Sequence, residues 1–75
     1  MGKIHEEKEK FCDREFLKLV QAIEHDVLRL EYKLHSSGEE TVTIVYLTKA
    51  GEYGRTINVT GDSLAALARD VLKYL

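Results

Sequence analysis

The feature that most constrains the fold is an alternation of apolar and polar residues that begins after Val27. Its apolar members are Leu28, Leu30, Tyr32 and Leu34, and its polar members are Arg29, Glu31 and Lys33. Because successive side chains of a strand point to opposite faces of a sheet, this period of two predicts a strand with one buried and one solvated face. We assign this strand to about residues 27–35.

Two more strands are predicted in the next 25 residues. The segment TVTIVYLT, residues 41–48, is β-branched or aromatic almost throughout, which favours a strand. A third strand is expected over about residues 53–60. The first turn contains Gly38 and the second Gly51, and such short connections predict an antiparallel meander.

Pairing apolar with apolar residues gives an expected register. With Ala50 and Gly51 as the second turn, the pairs are Ile44 with Ile57 and Val42 with Val59, and the first hairpin pairs Leu34 with Val42. The resulting buried face is Leu28, Leu30, Tyr32, Leu34, Val42, Ile44, Tyr46, Ile57 and Val59. The solvated face is Arg29, Glu31, Lys33, Thr43, Val45, Leu47, Thr56 and Asn58.

Helices are predicted on both sides of the strands. From about residue 5 to residue 25, apolar residues recur at spacings of three and four; they are Cys12, Phe16, Leu19, Val20 and Ile23. We favour one continuous helix here; in the alternative, Asp13 is an N-cap and residues 1–12 are a loose arm. The second helix covers about residues 62–75, with Asp62 as its N-cap and a stripe of Leu64, Leu67, Ala68, Val71, Leu72 and Leu75.

These elements predict an α+β fold, a single two-layer domain over residues 1–75 with the order α-β-β-β-α. Both helices need an apolar surface and the meander offers one, so we expect both on the same face of the three-stranded sheet. A chain of 75 residues is near the lower limit for a domain that folds alone.

Composition limits the function classes. The net charge of −2 gives no general attraction to nucleic acid or to anionic membranes. No apolar run approaches the roughly 20 residues needed to span a bilayer, and the N-terminal residues lack the apolar segment of a secretory signal. Cys12 is the only cysteine, which suits the reducing cytoplasm.

No catalytic or nucleotide-binding motif is present, and we expect neither an enzyme nor a bound cofactor. His5, Glu9 and Cys12 follow one side of a helix, but a metal site needs at least three converging ligands. A cysteine on an apolar helical stripe is most simply a small core residue. We therefore expect no metal site.

The element order resembles two groups of proteins. One is the double-stranded-RNA-binding domain, which binds phosphates with lysines at the start of its second helix. Here that segment reads GDSLAA over residues 61–66, with Asp62 and no lysine. A relative of that domain would thus have lost its basic contacts, and we expect no nucleic-acid binding.

The other group is the small phage-encoded inhibitors of RNA-guided CRISPR nucleases, some of which share this order and act through an acidic surface that mimics DNA. The residues that carry this resemblance are Glu39, Glu40 and Glu52, which we expect in the hairpin loops. The resemblance implies an inhibitor from a mobile element.

Our preferred prediction is a small interaction module that forms a homodimer and has a further, unidentified protein partner. Val45 and Leu47 are adjacent apolar residues on the solvated face of the central strand. Phe11 and Ile4 fall outside the main stripe of the first helix. Exposed apolar patches mark contact surfaces, so these four residues and the three acids are the candidate interaction residues.

Overall fold

A computed structural model of the chain describes residues 3–75. Within that range lie three helices and one antiparallel sheet of three strands, with the strand order β1-β2-β3. The elements are α1 (Lys3–Asp13), α2 (Glu15–Ile23), β1 (Val27–Leu34), β2 (Glu40–Thr48), β3 (Gly51–Asn58) and α3 (Leu64–Lys73). The predicted meander flanked by helices is confirmed.

One apolar core lies between the sheet and the helices. The helices contribute Cys12, Phe16, Val20, Leu67 and Val71, and the strand region contributes Val27, Leu30, Val42, Ile44, Ile57 and Val59. Because these side chains form a single cluster, the helices cover the same face of the sheet, and the predicted two-layer architecture is confirmed.

The first helical region is divided at Arg14, so the prediction of one continuous helix over residues 5–25 is wrong. Arg14 has φ −125° and ψ −91°, outside the helical range. The break lets Phe11 and Phe16 stack, with ring centroids 4.9 Å apart; in an unbroken helix, residues five apart point about 140° away from each other. The alternative of a loose arm is also wrong for residues 3–12, which belong to α1; residues 1 and 2 of that arm lie outside the described range.

Only one of the two apolar rows on α2 reaches the core. Phe16 and Val20 are buried, whereas Leu19 and Ile23 are 50% and 58% exposed, contrary to the predicted stripe. The narrow sheet also carries α1 and α3 on the same face, which leaves no sheet surface for the second row of α2.

The second hairpin is shifted by two residues from its predicted register. The observed pairs include Thr48–Gly51, Tyr46–Tyr53, Ile44–Arg55 and Val42–Ile57. The turn is therefore Lys49-Ala50. The Thr48 hydroxyl accepts from the Ala50 N–H at 3.2 Å and donates to the Gly51 carbonyl at 2.7 Å, while Gly51 takes a φ of +116°, which favours glycine.

The first hairpin is shifted by two residues as well. The observed pairs include Leu34–Glu40, Tyr32–Val42 and Leu30–Ile44. A bulge between Val27 and Arg29 then moves Val27 onto the core face opposite Tyr46 and leaves Leu28 37% exposed. Leu34, at the end of β1, is 44% exposed, so both leucines were wrongly predicted as core residues.

The start of α3 differs from the prediction by one residue. Ser63, and not Asp62, is the N-cap, and its hydroxyl accepts from the Ala66 N–H at 3.2 Å. Serine and aspartate are both good caps, so the sequence does not distinguish two adjacent candidates. From this cap, the helix directs Leu67 and Val71 into the core.

Candidate functional site

Glu40 is the centre of a buried polar cluster that joins α1 to the sheet. The Lys8 ammonium donates to Glu40 Oε2 at 2.7 Å, and the Tyr32 hydroxyl donates to the same oxygen. His5 Nδ1 lies 3.2 Å from that oxygen and 2.9 Å from the Tyr32 hydroxyl. Lys8 and Glu40 are only 2% and 4% exposed, so this is a buried ion pair.

The rest of Glu40 binds the segment that leads into α3. Its Oε1 accepts from the Gly61 N–H at 2.9 Å, and its own N–H donates to the Thr60 hydroxyl at 2.9 Å. Its carbonyl accepts from the Val59 N–H at 2.9 Å. Both carboxylate oxygens are thus satisfied, as a buried charge requires.

The pKa values of Glu40 and Tyr32 do not suit these two residues to acid–base catalysis. Burial raises the pKa of Glu40, but hydrogen bonds from Lys8, Tyr32 and the Gly61 N–H outweigh burial and hold the pKa at about 2. Burial and the adjacent Glu40 carboxylate raise the pKa of Tyr32 well above its usual range. A general acid or base works best with a pKa near the operating pH, so Glu40 and Tyr32 are better suited to a structural role.

A pair of acidic residues, Asp62 and Asp70, lies beside the cluster. Burial, and then the neighbouring Asp70 carboxyl, raise the pKa of Asp62. Asp62 Oδ2 is buried and has no hydrogen-bond partner among the described residues. Two close carboxyl groups favour retention of a proton between them.

His5, Glu9 and Cys12 do not converge. His5 binds Tyr32 and Glu40 instead, and Cys12 is fully buried. Burial, followed by the charge of Asp13, raises the pKa of the Cys12 thiol to about 12, which makes it a poor metal ligand or nucleophile. Across residues 3–75, no group of three or more histidine, cysteine or acidic side chains could hold a metal ion.

The two apolar candidates on the outer face of the sheet, Val45 and Leu47, differ in their exposure to solvent. Val45 is 5% exposed and Leu47 is 54% exposed. Arg29, opposite Val45 on β1, reaches Glu52 on β3 at 3.0 Å and also donates to Glu31 at 2.6 Å. Because its side chain must cross β2 to reach Glu52, Arg29 covers Val45, and only Leu47 offers apolar area to a partner.

The helix candidates also differ in exposure. Phe11 is half-buried and packs against the core through its stacking on Phe16. Ile4 is 43% exposed. A larger apolar patch that the sequence did not indicate is formed by Leu19 and Ile23, which are neighbours one turn apart on α2.

The three acidic candidates are not a group of free loop carboxylates. Glu40 is the first residue of β2 and is buried, so its prediction as an exposed loop acid is wrong. Glu39 is exposed and accepts from the Asn58 amide at 2.8 Å. Glu52 is exposed and paired with Arg29, so two acids remain at the surface and both are bound within the chain.

The outer edge of β3 carries a row of open backbone groups. Val59 donates to Glu40 on β2 and continues the register of the β2–β3 pair. Because backbone groups alternate in direction along an antiparallel strand, the even-numbered residues of β3 point their N–H and C=O groups away from β2. These residues are Glu52, Gly54, Thr56 and Asn58. All of β3 is exposed except Ile57.

The sequence contains a signal for the Glu40 cluster that the apolar patterns alone do not show. Lys8 precedes Cys12 by four residues and so extends the core stripe of α1 towards the N-terminus. Tyr32 and Glu40 each lie two residues from a core residue of their own strand, so their side chains point to the core face. Three polar residues on buried faces are an unusual coincidence, and buried charges are paired.

Within residues 3–75, no helix is both long enough and apolar enough to cross a membrane. Comparisons with protein-family models, with curated proteins and with solved structures gave no significant match.

Proposed function

We propose that this chain is a small protein-interaction module without catalytic activity, which self-associates through the open edge of β3. The observation that carries the proposal is the exposed row of outward-pointing backbone groups along that strand. Such an edge is a template for pairing with another strand. Cys12 is a free, buried thiol, and we propose the cytoplasm as the location because it keeps thiols reduced.

The edge of β3 lacks the usual protection against pairing. It contains neither proline nor lysine. Its two charged residues are bound within the chain, since Glu52 pairs with Arg29 and the Arg55 guanidinium donates to the Tyr74 carbonyl at 3.2 Å. Charged side chains that are bound within the chain hinder the approach of a second strand less than free charged side chains do.

The opposite edge of the sheet is better protected. The bulge between Val27 and Arg29 interrupts the regular ladder at the start of β1. Arg29 and Glu31 on this strand are bound within the chain, but Lys33 is exposed on the same strand and adds a charge near this edge. Bulges and charges both discourage strand addition, so β3 is the favoured edge.

The first test is the mass in solution. Sedimentation equilibrium at 20–200 µM is expected to give twice the monomer mass of 8.6 kDa, with dissociation on dilution. A mass of 8.6 kDa throughout this range contradicts the proposal.

The second test blocks the edge without touching the β2–β3 ladder. The Thr56 N–H points outward, so Thr56→Pro removes an outward donor and keeps the internal hydrogen bonds. Thr56→Ala is the matched control, because it removes the same side-chain hydroxyl, which binds Thr43 at 3.0 Å, and retains the N–H. We expect Thr56→Pro to be a folded monomer by circular dichroism and Thr56→Ala to remain a dimer.

Two further variants separate the competing surfaces. Leu47→Lys alters the outer sheet face, and Leu19→Glu alters the exposed row of α2. We expect both to leave the dimer intact. If Leu19→Glu or Leu47→Lys gives a monomer while Thr56→Pro does not, self-association stands and the β3 edge is the wrong surface.

A further inference from the structure

We infer that two copies pair β3 with β3 in antiparallel orientation about a twofold axis at Gly54, so that Tyr53 of each copy occupies a groove beside Arg55 of the other. This inference rests on the proposed self-association and specifies its register and its main side-chain contact.

Strand geometry leaves few registers for such a pair. The even-numbered residues of β3 direct their backbone N–H and C=O groups away from β2. In a twofold antiparallel pair, these residues of one copy must form their hydrogen bonds with the same set in the other copy. The axis can therefore pass through residue 53, 54, 55 or 56. An axis at 53 pairs only residues 51–55 and one at 56 only 54–58, whereas an axis at 54 or 55 uses nearly all of the strand, which spans Gly51–Asn58.

Charge decides between the two long registers. An axis at residue 55 sets Arg55 directly against Arg55 of the second copy, and like charges in that position are destabilising. An axis at Gly54 instead sets Tyr53 against Arg55 twice, and a guanidinium over a tyrosine ring is a favourable contact. Gly54 has no side chain to obstruct the approach at the axis.

A groove lies where the tyrosine would enter. It has a volume of about 480 Å³ and runs between β3 and α3, with Arg55, Ile57, Asp70, Lys73 and Tyr74 in its lining. This volume falls within the range of about 300–1,000 Å³ that is typical of ligand pockets, which leaves room for one aromatic side chain.

Tyr53 is suited to this groove. It lies on the same face of β3 as Arg55 and Ile57, because each of these residues is two positions from the next and side chains alternate between the faces of a strand. It is 55% exposed, in spite of a contact with Tyr46 at a centroid distance of 6.3 Å. The hydrogen bond from Arg55 to the Tyr74 carbonyl holds the guanidinium in the lining of the groove. Burial of a large, exposed aromatic residue is the kind of contact that dominates interface energies.

Disulfide cross-linking tests the register. In the Gly54-centred pair, Tyr53 and the opposing Arg55 form a non-hydrogen-bonded pair with Cα atoms about 4.5 Å apart, which permits a disulfide. Mixing Tyr53→Cys with Arg55→Cys and adding a mild oxidant should give a mixed dimer on a non-reducing gel. Either variant alone should not cross-link, since like residues would be about 7–8 Å apart. The wild type controls for Cys12, which is fully buried.

The outcomes separate this inference from the proposed function. Cross-linking of Arg55→Cys with itself would assign the axis to residue 55, and a dimeric mass without mixed cross-linking would also overturn the register; self-association stands in both cases. A monomeric wild type overturns both proposals.

A second measurement tests the contact itself. Tyr53→Ser should weaken the dimer at least tenfold, whereas Tyr53→Phe, which keeps the ring, should change the dissociation constant less than about threefold. Equal effects of the two variants, or no effect of Tyr53→Ser, would show that the ring does not occupy the groove. Circular dichroism below the dissociation constant checks that both monomers are folded.

Discussion

The replacement of Lys8 by methionine tests the buried ion pair most directly. Methionine keeps the apolar length of the side chain and removes the charge that Glu40 binds at 2.7 Å. The Glu40 carboxylate would then remain buried without its ammonium partner. Removal of one partner of a buried pair typically costs about 3–5 kcal/mol.

The pKa of Glu40 gives an independent scale for this cost. It falls from an ordinary value of 4.5 to about 2, and each unit corresponds to about 1.4 kcal/mol, so the contacts together outweigh burial by about 3–4 kcal/mol in favour of the charged form. Tyr32 and the Gly61 N–H remain in the variant. We therefore expect Lys8→Met to lower the free energy of unfolding by about 2–4 kcal/mol, a large share of the roughly 4–11 kcal/mol expected for a domain of this size.

The assay is urea denaturation followed by circular dichroism at pH 7. Lys10→Met is the matched control, because Lys10 lies in the same helix and is exposed; it should change stability by less than about 0.5 kcal/mol. Equal effects of the two variants, or a cost below about 1 kcal/mol for Lys8→Met, would refute the conclusion that this buried ion pair stabilises the fold.

The loss of stability at acidic pH is a second measurement of the Glu40 contacts, and the direction of the pKa shift predicts the direction of this change. Because the folded-state pKa of Glu40 lies below 4.5, its contribution is complete above pH 4.5 and is lost as the pH falls towards 2. Glu40→Gln removes this titration, so the variant should lose less stability than the wild type between pH 5 and pH 2. Identical acid profiles would contradict the assigned direction of the pKa shift.

Three other predictions concern the core, the thiol and nucleic acid. Ile44→Ala should cost about 2–5 kcal/mol in chemical denaturation, because Ile44 is fully buried on the central strand, and Thr43→Ala on the outer face should cost less than half as much; the reverse ranking would invert our assignment of the faces. Burial of the Cys12 thiol, whose pKa is about 12, should make alkylation at pH 8 at least tenfold slower than in denaturant, and equal rates would place the thiol at the surface. With a net charge of −2, micromolar protein should not shift duplex RNA or DNA on a gel at physiological salt, and a shift that weakens with added salt would contradict this.

The sequence was sufficient for the three strands, for a helical region on either side of them and for most faces, but not for the break at Arg14 or for the register. A period of two fixes which side chains share a face, and a shift of two residues leaves every face unchanged. Both hairpins were predicted two residues from their observed pairing. The second turn was decided by local chemistry that the pattern does not contain, namely the Thr48 hydroxyl and the positive φ of Gly51.

The polar cluster and the exposed row of α2 were harder to predict for a different reason. Lys8 and Glu40 are 32 residues apart, and each alone resembles an ordinary surface charge. Their pairing depends on how α1 crosses the sheet, which no local pattern specifies. Leu19 and Ile23 follow a good helical stripe, but a stripe indicates what could be buried and not how much sheet is available to bury it.

The position of Glu40 has a consequence for the order in which the chain can fold during its synthesis. Lys8 and Tyr32 leave the ribosome before the carboxylate that binds them, and the Gly61 N–H that completes its shell follows 21 residues later. Until Glu40 emerges, α1 carries a lysine with no carboxylate to neutralise it, and β1 has no neighbouring strand. Because the paired residues are distant in sequence, α1 can dock with its charge neutralised only once β2 has begun to emerge. A nascent chain that has emerged only as far as β1 should therefore remain accessible to chaperones and proteases.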